Sequence, residues 1–163
     1  MNKIFWLQPG RIAGRTGPDT DPWDLGALRA AGVGAVLSVN EGLACVPEDF
    51  ARHDLQYRCV PLAANAPPEP GDHGVCVDAL PRAHAFVTAQ LAQQRAVLVH
   101  CTLGRDRTGL YLAYYLLRET GVTPHRAIEL VRRVRPNALA AAGWDNFARE
   151  VLAQFALQPT SSP

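Results

Sequence analysis

Apolar positions along the chain fall into two kinds of run. Val33-Gly34-Ala35-Val36-Leu37-Ser38-Val39 and Ala96-Val97-Leu98-Val99 are short and nearly unbroken, the pattern of strands covered on both faces of a parallel sheet. Leu55 to Val60 reads as another strand. Elsewhere apolar residues recur at helical spacing. Asp21-Pro22 predicts a helix start, with Asp21 as cap, Leu25, Leu28 and Ala31 following, and Gly32 as the stop. Asp72 to Gln94 is helical but interrupted by Pro81, which predicts a short helix and then a longer one ending near Gln90. Thr108 to Thr120 is closed by Gly121. Thr123-Pro124 opens a helix with Ala127, Ile128, Val131 and Val134 on its inner face, and Trp144, Phe147, Val151 and Phe155 mark a last one. Pro61 to Gly71 contains four prolines and is predicted as a surface loop. Strands alternating with helices predict an α/β fold, a central, mostly parallel twisted sheet flanked by helices.

Composition narrows this picture. With 163 residues, 48% of them hydrophobic, the chain can bury one core, so residues 1–163 are expected to form a single domain. Sixteen basic against fifteen acidic residues, net +1, argue against nucleic acid as a partner. No run approaches the ~18 apolar residues of a membrane span, and the stretch before Gln8-Pro9-Gly10 is too short for a secretory leader. The four cysteines (45, 59, 76 and 101) have neither metal-ligand nor disulfide spacing. A reduced, cytoplasmic protein without stable membrane insertion is the expectation. Cys45, Cys59 and Cys76, like Trp6, Trp23 and Trp144, are expected to pack. His53, His73, His84 and His125 show no ligand spacing and are expected at the surface. Oligomeric state leaves no mark in the sequence.

The chemistry concentrates in His100-Cys101-Thr102-Leu103-Gly104-Arg105-Asp106-Arg107-Thr108-Gly109, between the 96–99 strand and the 108–120 helix. This order puts a loop between a central strand and a helix N-terminus, where backbone N–H groups converge into an anion site. A thiol beside such dipoles and a cation is held as the nucleophilic thiolate. Cys101 is the nucleophile candidate, and Arg107 supplies the cation and a two-pronged grip on phosphoryl oxygens. Thr102, Leu103, Gly104, Arg105, Asp106 and Arg107 would line the phosphate cradle. Thr108 could hydrogen-bond the sulfur, and His100 is expected to order the loop by hydrogen bonding rather than to take a substrate proton.

His100-Cys101 … Gly104 … Arg107-Thr108-Gly109 resembles the signature loop of the protein tyrosine phosphatase superfamily, best its short, dual-specificity-like branch. Trp6 to Gly14 looks like that branch's opening strand pair, and Val131 to Pro136 is similar to its late helix. The resemblance implies phosphomonoester hydrolysis through a phosphocysteine on Cys101, with Arg107 holding the phosphoryl oxygens and neither metal nor cofactor. It implies phosphotyrosine or phosphoserine/threonine in proteins as substrate. Members of that branch carry a general acid as Asp in the proline-rich loop, and the position aligned with it here is Ala64. Two replacements are open. Asp106 lies in a Gly-Arg-Asp-Arg-Thr-Gly run similar to the Gly-Lys-Asp-Arg-Thr-Gly of bacterial tyrosine/lipid phosphatases, which also makes a phosphoinositide or inositol phosphate an alternative substrate through Arg105. Asp72 (or Asp78) could instead reach in from the lid. Trp144 falls near where relatives place a water-positioning glutamine, and Arg135 is expected to pair within the fold. A pseudophosphatase that binds phosphorylated ligands without turnover, and a rhodanese-like sulfurtransferase, are the competing classes.

Overall fold

The computed structural model describes residues 3–156. Five strands, β1 (Phe5–Gln8), β2 (Ile12–Arg15), β3 (Val33–Ser38), β4 (Gln56–Cys59) and β5 (Ala96–His100), form one sheet in the order β1-β2-β5-β3-β4. The β1–β2 pair is antiparallel, whereas β2–β5, β5–β3 and β3–β4 are parallel. Helices are α1 (Leu25–Ala30), α2 (Pro47–Arg52), α3 (Asp72–Ala92), α4 (Asp106–Thr120), α5 (Pro124–Val134) and α6 (Trp144–Ala156). The expected mixed α/β layering is thus the observed one.

Side-chain alternation along the central strand divides the core. Val97 and Val99 of β5 face a cluster built with α3, α4, α5 and α6, while Leu98 faces a smaller one with Leu28 of α1 and Phe50 of α2. Helix α4 is buried without interruption from Thr108 to Leu117, as expected of a helix surrounded by others. It follows the carboxyl end of β5, so its N-terminus is fixed to the central strand of the sheet. None of the described helices is long and apolar enough to cross a membrane.

Three expectations are corrected, and one short helix was not predicted. Asp24, not Asp21, caps α1, accepting the Ala27 N–H at 2.9 Å. Trp23 packs its ring 4.6 Å from that of His100 at the end of β5, its indole N–H donating to Thr16 O at 2.8 Å, and the helix begins only after it. Asp21 instead pairs with Lys3 at 3.0 Å and Arg15 at 3.5 Å, and the hydrogen bond from Lys3 holds its carboxyl below the usual range. Pro81 does not divide α3, which runs 21 residues. Burial of Cys76, Ala79, Leu80, Ala83 and Val87 along one side outweighs the lost hydrogen bond. The short helix α2 escapes the periodicity because only Phe50 in it is buried. His84 is not at the surface: its side chain is 14% exposed, with Nδ1 3.1 Å from the Tyr111 hydroxyl and Nε2 2.9 Å from Glu119.

Candidate active site

Residues 101–105 link β5 to α4. Cys101, 3% exposed, forms the floor of a cavity of about 350 Å³ also lined by Thr102, Leu103, Asp106, Arg107, Ala64, Ala66, Ala141 and Trp144. Thr108, fully buried on the first turn of α4, donates its hydroxyl to the Cys101 sulfur at 3.1 Å.

The orientation of the loop follows from where its carbonyls go. Thr102 O accepts from Gly17 N–H at 3.1 Å, Leu103 O from Arg135 Nη2 at 2.8 Å, and Gly104 O from Arg135 Nε at 3.1 Å. Arg105 O accepts from Gly109 N–H. In a trans peptide the next residue's N–H points opposite to the carbonyl. With the oxygens of 102–104 committed to the surrounding protein, the N–H groups of 103–105 face away from it, and among the described residues those of 102–107 donate to no protein acceptor. Helix α4 adds its unsatisfied start: its N-cap Arg105 makes no side-chain capping bond. Gly104 adopts φ +68°, and a Cβ there would lie 2.6 Å from Arg15 O, so the turn needs glycine. These features make an oxyanion cradle.

Arg107 enters the cavity at 13% side-chain exposure, held by Thr102 Oγ1 at 3.3 Å and Glu41 at 3.4 Å. His100 is fully buried. Its Nδ1 lies 3.1 Å from Cys101 O, an acceptor only, so Nδ1 carries the proton and Nε2 accepts from Ser38 Oγ at 2.6 Å. Burial lowers its pKa to about 4, which keeps the ring neutral in this role. Arg105 is exposed beside Arg135, and burial together with the Arg105 charge lowers the Arg135 pKa, opposed by the Cys101 sulfur.

The two acid candidates part company. Asp106 lines the cavity, its Oδ1 accepting the Ala141 N–H at 3.3 Å. Asp72 is buried outside the cavity lining, its carboxylate committed to Asn65 and Glu69, and Asp78 is an exposed partner of Arg82. Ala64 and Ala66 carry no proton donor on that wall. Cys45, whose thiol burial pushes up, lies 3.6 Å from His100 Nε2, outside the cavity lining. Cys76 packs in the core, and burial pushes its thiol up to about 11. Trp144 lines the cavity besides packing. Sequence reasoning missed Glu41, Asn40, whose amide donates to Thr102 Oγ1 at 3.4 Å, and Ser38. Their position at the carboxyl end of β3, beside β5, is the available signal.

This chain belongs to the dual specificity phosphatase catalytic-domain family, whose model matches residues 28–152. Mouse dual specificity protein phosphatase 12 is 28% identical over 139 residues, covering 85% of this chain and 38% of that protein. The phosphatidylglycerophosphate phosphatase PTPMT1 of Arabidopsis thaliana is 28% identical over 125 residues, covering 76% of this chain and 36% of that protein. The chain therefore spans less than two fifths of the length of either relative. The crystal structure of Tk-PTP in the active form shares the fold, with a TM-score of 0.76 at 21% identity, covering 96% of this chain and 98% of that one.

Proposed function

We propose that this protein is a cysteine-dependent phosphomonoesterase acting on phosphotyrosine and/or phosphoserine/threonine in proteins. The observation that carries this reading is the Cys101 sulfur on the cavity floor with the Thr108 hydroxyl at 3.1 Å, beneath Arg107 and Asp106. The thiolate attacks phosphorus, forming an S–P bond as the ester P–O bond breaks, and Asp106 gives its proton to the departing oxygen. Arg107 and the free amides of 102–107 bind the equatorial oxygens, where negative charge is held in the transition state. Asp106, now a carboxylate, takes a proton from the attacking water; the S–P bond breaks, releasing phosphate, and the Thr108 hydrogen bond steadies the sulfur as leaving group.

A second reading, a phosphoinositide or inositol phosphate as substrate, draws on the exposed Arg105 guanidinium beside the cradle. The lipid-phosphate activity in the name of the Arabidopsis relative is consistent with it.

The test is hydrolysis of an aryl phosphate in the presence of a chelator, followed by a panel of phosphopeptides and phosphoinositides. Turnover that vanishes in Cys101→Ser is expected, with phosphopeptides preferred. Phosphopeptide binding without turnover would instead make the chain a pseudophosphatase, and activity surviving in Cys101→Ser would remove the nucleophile assignment.

A further inference from the structure

Asp72 is a buried carboxylate, 8% exposed, with no cationic partner among the described residues. It opens α3, yet it accepts no hydrogen bond from that helix's own amides, as a cap would. Its oxygens turn back to the proline-rich loop. Asn65 Nδ2 donates to them at 3.2 and 3.0 Å, and the Glu69 N–H donates at 2.8 Å. A carboxylate taken out of water is costly unless its hydrogen bonds are met, and here all of them fasten one loop.

The connection continues from that loop into the cavity. Asn65 O accepts the Trp144 indole N–H at 2.9 Å. The Trp144 backbone N–H donates to Ala141 O at 3.0 Å, and the Ala141 N–H donates to Asp106 Oδ1 at 3.3 Å. Trp144 is 2% exposed and cannot swing free. Pro67 and Pro68 close the same side against Gly143, where a Cβ would stand 2.9 Å from Pro68 Cδ.

We propose that Asp72 is a positioning residue, which through Asn65, Trp144 and Ala141 sets the place of Asp106 in the cavity. The loop that carries Ala64 is then a fixed wall whose anchor orients an acid carried by the start of α4. This inference rests on the reading of Asp106 as the proton donor to the leaving group.

The test compares two substrates, phenyl phosphate, whose leaving group needs a proton, and 2,4-dinitrophenyl phosphate, whose leaving group does not. Asp72→Asn replaces one acceptor oxygen with an N–H₂ facing that of Asn65 and so weakens the link. Asn65→Ala breaks it while keeping the Asp72–Glu69 bond, and serves if the first variant does not fold. Both are expected to lower kcat on phenyl phosphate on the order of 10-fold, while the dinitrophenyl ester changes less than about twofold. The double variant Asp72→Asn with Asn65→Asp restores the hydrogen bond with its polarity reversed, and should recover most of the phenyl phosphate rate. Equal loss on both substrates, no loss on either, or no recovery in the double variant overturns the proposal. Asp106→Asn is the control: if it shows no leaving-group dependence, it is the acid assignment that fails; if it does and Asp72→Asn does not, only the positioning role falls.

Discussion

The cavity has two walls built by opposite means. On one side, residues 101–107 supply the sulfur, the guanidinium, the carboxylate and the free amides, all within seven positions. On the other, residues 61–71 present only Ala64 and Ala66, and are held by side chains: Asp72 to Asn65, Trp144 to Asn65 O, prolines against Gly143. The first wall is chemically active and shaped by backbone. The second is inert and shaped by packing. On the proposed reading, with Asp106 as the acid, the lid keeps its shape without carrying the proton donor.

The contrast can be broken at defined points. Arg107→Lys keeps a positive charge but not the planar fork, and kcat/KM for an aryl phosphate should fall roughly 10²–10³-fold. A loss under tenfold would mean that a point charge suffices and the planar fork does not matter. Asp106→Asn should cost about 10²-fold on phosphotyrosine peptides. Restoring a carboxylate by Ala64→Asp in that variant would show whether the inert wall can take over the proton; full recovery would mean that the wall differs from its counterpart only in this residue.

The active wall also depends on a buried neutral imidazole, and the inert wall does not. His100 titrates near 6.5 in an unfolded chain and at about 4 in the fold. Between those values the unfolded state binds the proton and the folded state does not. The stability this contributes is therefore full above pH 6.5, falls as pH drops, and levels off below 4, a loss of about 3 kcal/mol. Denaturant titrations from pH 7 to 4 should show a steeper fall for the native chain than for His100→Asn, since other groups, His84 included, cancel in the difference. Parallel curves would place the His100 proton elsewhere. The smallest effect lies on the inert wall: Gly143→Ala meets both φ +78° and the Pro68 contact, and should lower unfolding free energy by about 1–2 kcal/mol.

What could be read from the sequence follows the same divide. The strand-loop-helix around Cys101 is legible because its residue types act where they stand, and a buried run feeding a glycine-bearing loop has few other solutions. Asp106 was visible for the same reason. Asp72 is legible only as a carboxylate at the start of a helix beside the proline-rich loop, and its buried attachment to Asn65 turns on a contact that spacing does not encode. Glu41 is 66 positions from Arg107, and Arg135 is 31 from Gly104; no local pattern joins them. Pro81 misled because breaker chemistry is local, whereas the burial of α3 that overrides it is tertiary.

Arg135 stands just past α5, yet it grips two carbonyls of the phosphate loop and lies 5.0 Å from the centre of the Phe5 ring. The loop's electrical polarity is therefore set from outside, by a residue the ribosome adds well after the nucleophile. Two carbonyls of that loop are thereby tied, through Arg135, to the first strand of the sheet.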